Sequence, residues 1–311
     1  MSGIVNGQAP SLVIPEAPLA GKSNPRKVAP MGWLRELFSP ARRTRPLAFA
    51  LGGGGARGFA HIGVLKVAEE FGIVPDLVVG TSMGAIVGAA WCGGTSAREI
   101  EQLVLELDAR RMLGLLDLLP PARSLSTGER ALDLLRPILP DTFEECRTAF
   151  ACVSCDLAAG TAVVRRSGSV PDALRVSFSV PFVFEPVEID GRLEVDGGVV
   201  EPVPVQTARE LGARRVVAVS VCTLLGQPLA PVEGPLRLRQ QFGRMQPGPR
   251  LQMLLDSIDV TQRELAKTAL KGADLVIEPD LHGFSQVSFL SGRQIIDAGE
   301  AAARDAFVNF T

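Results

Sequence analysis

Apolar residues recur along this chain in two alternating periods. Leu47-Ala48-Phe49-Ala50-Leu51 is an unbroken apolar run of strand length, and Leu77-Val78-Val79 and the segments 149–155 and 216–221 are of the same kind. Runs without a polar face predict strands covered on both sides, as in a parallel sheet. Between them the spacing lengthens to that of a helix. A helix is predicted over about 58–71. Ser96-x-x-Glu99 has the form of a capping box, with Ile100, Leu103, Val104 and Leu107 following at i, i+3, i+4 and i+7. Ser126-x-x-Glu129 reads the same way, as the cap of a helix ending near Pro137. A strand at 161–165 follows the turn Ala158-Ala159-Gly160, and Val187-Glu188-Ile189 and Arg192-Leu193-Glu194-Val195 flank Asp190-Gly191, a two-residue hairpin signal. Helices over about 251–271 and 292–309, with a strand at 275–278, complete the series. Strands alternating with helices predict an α/β fold, a three-layer α/β/α sandwich on a mostly parallel central sheet.

Residues 1–45 lack either period and are rich in proline, glycine and small residues. They are expected to be a mostly disordered arm ahead of one domain over 46–311, with its chemistry in 47–220 and a C-terminal extension over 221–311. Residues 223–250, rich in Pro, Gly and Gln, read as a loop. The arm carries seven basic and two acidic side chains against a net charge of −2 for the whole chain, so the body is acidic. A basic arm on an acidic body suits contact with an anionic membrane surface, and Trp33, Leu34, Leu37 and Phe38 beside Arg35 suit a short interfacial helix. The overall charge argues against nucleic acid as a partner. With 311 residues, 46% of them hydrophobic, the chain is long enough for a sizeable core. No apolar run reaches the roughly 18 residues of a membrane span. Five cysteines, an odd number without a signal peptide, point to a reducing compartment; the expected location is cytoplasmic, at the membrane periphery. Cys152 and Cys155 sit three apart in a strand pattern, which turns them to opposite faces and argues against a shared metal.

The candidate chemistry begins at Gly80-Thr81-Ser82-Met83-Gly84, a G-x-S-x-G sequence where a strand meets a helix. A serine on that turn is held exposed at a helix N-terminus, placed to attack an ester carbonyl. The same pentapeptide also fits an ordinary strand–turn–helix, so the rest of a site must be sought. Gly52-Gly53-Gly54-Gly55-Ala56-Arg57-Gly58 is a second strand-to-helix loop, whose free N–H groups suit an oxyanion hole, with the Arg57 charge nearby. Gly53-x-Gly55-x-x-Gly58 also satisfies the dinucleotide fingerprint. That reading needs an acidic residue at the end of the second strand; Asp76 lies at its start, and Gly80-Thr81-Ser82 occupies its end. No nucleotide is therefore expected. A serine needs a base, and the chain has only His61 and His282. His61 lies inside the first helix and reads as a packing residue. His282, in a late loop, permits a Ser-Asp-His order. Asp196, before Gly197-Gly198, offers a carboxylate able to reach Ser82 directly.

Gly52–Gly58 with Phe59-Ala60-His61-Ile62-Gly63, then Gly80–Gly84, Ser177-Phe178-Ser179-Val180-Pro181 and Asp196-Gly197-Gly198 stand in the order found in one family. Over about 47–220 the chain resembles the patatin-like phospholipases of bacterial type. The resemblance implies a Ser-Asp dyad, with Ser82 as nucleophile and Asp196 as general base. It implies an oxyanion hole from the backbone of Gly53, Gly54 and Gly55 with Arg57 beside it, and hydrolysis of lipid acyl esters without metal or cofactor. The first motif opens on Leu51-Gly52 instead of Asp or Ser, and Phe182 stands where many relatives have Gly, a departure that bears on acyl-chain length. A scaffold or regulatory protein with little turnover, and an acyltransferase, are the alternatives on the same fold. A dyad aspartate must be ionised at working pH, so its pKa is expected to be held down by hydrogen bonds, including the amides of 197 and 198. Arg110–Pro121, two arginines before an apolar run, is a candidate lid.

Overall fold

The computed structural model describes residues 46–106, 126–222, 249–308 and 310. The basic arm, the candidate lid and nearly all of the loop over 223–250 lie outside the described residues. Eight strands form one sheet: β1 (Leu47–Leu51), β2 (Leu77–Thr81), β3 (Ala149–Asp156), β4 (Thr161–Arg165), β5 (Val187–Ile189), β6 (Arg192–Asp196), β7 (Arg215–Val219) and β8 (Leu275–Ile277). Their order is β5-β6-β3-β2-β1-β7-β8, with β4 also paired to β3. The strands from β3 to β8 in that order run parallel, and β4, β5 and β6 join antiparallel at one side. β5 and β6 form the hairpin expected at Asp190-Gly191, both residues with positive φ (52° and 73°).

The helices are α1 (Ala60–Glu70), entered through a 3-10 turn at Gly55–Phe59, then α2 (Met83–Gly93), α3 (Ala97–Leu105), α4 (Glu129–Leu135), α5 (Val170–Ser177), α6 (Val205–Glu210), α7 (Pro249–Leu270) and α8 (Gly292–Phe307). Strand alternation divides the core into two layers. Phe49, Leu51, Val78, Phe150, Cys152, Val217 and Val219 face α1, α2, α3, α5 and α8. Ala48, Ala50, Val79, Ala151, Val153, Val216 and Ala218 face α6 and α7. The two helix layers confirm the sandwich. α1 and α8 lie together: Lys66 pairs with Glu300, Arg304 pairs with Glu70 at 2.6 Å, and Phe307 stacks on Phe49 of β1. Among the described residues no helix is long and apolar enough to cross a membrane.

The Ser96 capping box forms as expected: the Glu99 N–H donates to Ser96 Oγ and the Ser96 N–H to Glu99 Oε2. The second box does not. Ser126 is buried, its backbone bonded to Val183 and Glu185, and α4 starts after Gly128 at φ 81°. The Ser126 hydroxyl accepts from the Gly128 N–H instead of capping the helix, because the backbone of Ser126 is already paired beside Phe184.

The register aligns the C-terminal ends of the central strands. Leu51 of β1 pairs with Gly80 of β2 and Val219 of β7, and Gly80 pairs with Cys152 of β3. The loops leaving β1, β2 and β7 therefore converge at one edge of the sheet, and β1→β2 and β7 lie on opposite sides of β1, a switch point of the kind where α/β sheets bind ligands.

Candidate active site

Ser82 closes β2 and opens α2 with φ 53° and ψ −122°. Few non-glycine residues tolerate positive φ, and a strand-to-helix turn that holds one is strained in the manner of a nucleophile elbow. Around it the chain is tightly drawn: a Cβ on Gly84 would strike the carbonyl of Leu51, so only glycine fits there. The Ser82 carbonyl accepts from the N–H groups of Ala85 and Ile86, and its own N–H donates to Ser177 Oγ at 3.1 Å. Ser177, the last residue of α5, donates in turn to the Val153 carbonyl at 2.7 Å, which ties the serine turn to β3. The expected exposure is not found: Ser82 is 6% exposed, closed in by the glycine loop and Ser177.

Asp196 ends β6, opposite Ser154 of β3, and is 2% exposed. Its N–H donates to the Ser179 carbonyl at 3.0 Å, and its Oδ1 accepts from the Gly198 N–H at 2.7 Å. One short segment thus supports both residues, Ser177 through Ser82 and Ser179 through Asp196. Asp196 Oδ2 is buried and has no hydrogen-bond partner among the described residues. Burial raises the Asp196 pKa to about 6, against the pull of Ser82 and the Gly198 amide. The expected lowering is therefore overturned. Of the two amides invoked for it, only that of Gly198 donates, and desolvation outweighs that one bond.

The glycine loop lies against the serine: a Cβ on Gly53 would stand 3.3 Å from Ser82 Cβ. The Gly52 N–H donates to the Val219 carbonyl, that of Gly53 to Pro202 at 2.8 Å and that of Ala56 to Gln286 at 2.8 Å. Gly53, expected among the oxyanion donors, is thus committed elsewhere, whereas the Gly54 and Gly55 amides have no backbone partner among the described residues. Arg57 follows the loop directly, with its charge engaged by a carboxylate. Its guanidinium is buried and paired with Asp259 of α7, so its charge is balanced within the protein.

Both histidines stand apart from this chemistry. His61 is fully buried and its Nε2 meets the Gly52 carbonyl at 2.7 Å, so Nε2 carries the hydrogen and donates. Burial lowers its pKa to about 4, which keeps it neutral; the bond to Gly52 adds a brace for the glycine loop to the packing role expected from the sequence. His282 is exposed and held by Asp280. All five cysteines are free. Ser177 and Ser179 were visible only as part of a motif, without roles. Pro202, Asp259 and Gln286 carried no signal: an acid four residues before Arg263 on a helix looks like an ordinary surface pair.

An uncharacterized NTE family protein of Mycobacterium tuberculosis is 38% identical over 176 residues, 56% of this chain and 49% of that protein. A second from the same organism is 31% identical over 283 residues, 84% of this chain and 46% of that protein. The human patatin-like phospholipase domain-containing protein 6 is 36% identical over 182 residues, 56% of this chain and 13% of that protein. The chain spans about half the length of the first of these and a smaller share of the others. The sequence profile described as patatin-like phospholipase matches residues 49–209, which contain the glycine loop, Ser82, the Ser177–Ser179 segment and Asp196. The chain belongs to the patatin-like phospholipase family.

Proposed function

We propose that this protein hydrolyses acyl esters of lipids through a Ser82–Asp196 dyad. The observation that carries the proposal is the convergence on the Ser177–Ser179 segment of a serine at strained φ and a buried carboxyl from β6, two strands along the sheet, with both histidines engaged elsewhere. Ser82 Oγ attacks the ester carbonyl carbon and gives its proton to Asp196. The carbonyl π pair moves onto oxygen, and the amides of Gly54 and Gly55 at the N-terminal end of the 3-10 turn stabilise that oxyanion. The tetrahedral intermediate collapses; the bond to the leaving alkoxide breaks, and Asp196 returns the proton to it. Water then attacks the acyl-Ser82 carbonyl carbon, passing a proton to Asp196; the bond to Oγ breaks, Asp196 returns the proton to Oγ, and the fatty acid leaves. A carboxyl with pKa about 6 suits this shuttle better than an ordinary aspartate, since it is ionised near neutrality yet basic enough to take the proton.

Membership of the family and the name of the human relative support a lipid substrate. The test is release of fatty acid from a lysophospholipid, and of nitrophenol from a short-chain nitrophenyl ester. Ser82→Ala and Asp196→Asn should each abolish both, and His282→Ala should leave them intact. An inactive His282→Ala beside an active Asp196→Asn would refute the dyad.

A further inference from the structure

Helix α7 lies beyond the residues matched by the family profile, and one of its carboxylates reaches back to the glycine loop. Asp259 engages the Arg57 guanidinium with both oxygens: Nη2 meets Oδ1, and Nη1 donates to Oδ2 at 3.4 Å. Oδ1 also accepts from Gln286 Nε2 at 2.8 Å, and the Gln286 carbonyl accepts the Ala56 N–H at 2.8 Å. Ala56 and Arg57 are adjacent, so the contacts close a ring running from Asp259 through Arg57, Ala56 and Gln286 back to Asp259. Gly55 is the next residue of the loop; it has φ +56°, and a Cβ there would collide with the Gln286 carbonyl. Arg263, one turn along α7, donates to Asp259 Oδ2 at 2.8 Å and fixes the carboxylate from its own helix.

We infer that Asp259 is a positioning residue for the oxyanion loop, acting through Arg57 and Gln286 to fix the direction of the Gly54 and Gly55 N–H groups. The inference rests on the dyad reading above. Burial pushes the Asp259 carboxyl up, but the Arg57 charge and the bonds from Arg57 and Gln286 outweigh it, so the group stays ionised. A fixed charge suits the task, because oxyanion donors act through pre-set direction, and a small misplacement of the loop weakens them. The same helix touches the other half of the site: Gln262 Nε2 stands 2.5 Å from where a Cβ on Gly198 would lie, beside the Asp196 turn. α7 thus spans both loops that carry the chemistry.

The experiment uses the full chain and compares wild type with Asp259→Asn, Asp259→Glu, Gln286→Ala and Ser82→Ala. It measures kcat and KM on a short-chain nitrophenyl ester, the rate of Ser82 phosphonylation by a fluorophosphonate, and thermal melting. In Asp259→Asn, kcat and the phosphonylation rate should fall together by about 100-fold, with KM within about threefold, the pattern of lost transition-state donors. Asp259→Glu, which keeps the charge, should recover part of the rate, and Gln286→Ala should lower kcat by about tenfold. A folded Asp259→Asn with wild-type kcat and phosphonylation rate overturns the inference, even if its melting temperature is lower. If Asp259→Asn does not fold, Gln286→Ala decides, and an unchanged kcat there overturns it. An active Ser82→Ala marks failure of the dyad reading itself.

Discussion

Asp196 occupies a position that favours its neutral acid over its carboxylate. Its pKa is raised from 3.8 to about 6, chiefly by burial. Between those values the folded protein binds more protons than the unfolded chain, so stability declines as pH rises through the interval and stays low above it. A shift of about 2 units corresponds to roughly 3 kcal/mol at pH 7. Asp196→Asn should therefore melt higher than wild type at pH 7, and the difference should vanish below pH 4; thermal melts at the two pH values check this. On the proposed dyad the same group sets the activity profile. The ratio kcat/KM on a nitrophenyl ester should rise with pH through an apparent pKa near 6, because only the ionised form accepts the serine proton. Ser82 was legible in the sequence because its turn is local, written in five consecutive residues. The electrostatic state of Asp196 was not, because its burial comes from β3, the Ser177–Ser179 segment and α7, none adjacent in sequence.

The serine turn depends on α5 and β3 as much as on its own strand and helix. Ser177→Ala would leave the buried Ser82 N–H without its acceptor, which costs about 1–3 kcal/mol. The change should also lower kcat by about tenfold with little change in KM, since it shifts the nucleophile and not the substrate contacts. A denaturant melt together with steady-state kinetics separates the two effects. Helix α3 offers a cleaner case: Ser96→Ala, which removes a capping box at an exposed end, should cost ~1 kcal/mol in a urea melt and leave activity unchanged. The sequences at Ser96 and Ser126 look alike, and only the first caps a helix. Ser126 has its backbone paired to Val183 and Glu185, a contact across the chain that no spacing rule sees. Where an element is fixed by neighbouring residues, as in the β5–β6 hairpin or the β2–α2 turn, the sequence was a sufficient guide.

Over the whole molecule, the layered sheet was legible because its central strands are apolar on both faces, whereas the docking of distant helices was not. Lys66 of α1 illustrates the latter, pairing with Glu101 of α3 at 2.8 Å and with Glu300 of α8, while Arg293 of α8 also holds Glu101. Burial works against the charged lysine, but the two carboxylates outweigh it and raise its pKa. Lys66→Met should cost roughly 1–3 kcal/mol by leaving a buried acid with fewer partners, read as a lower urea midpoint. The closure of α8 on α1 also has a kinetic meaning. The first and last described helices must find each other across the whole sheet, and contacts of such long sequence separation form slowly. During synthesis the glycine loop and Ser82 leave the ribosome before α8, and the side of α1 that α8 covers stays open until α8 has emerged. The nascent chain therefore passes through a stage with its serine turn complete and its core open, the stage at which a chaperone would matter most.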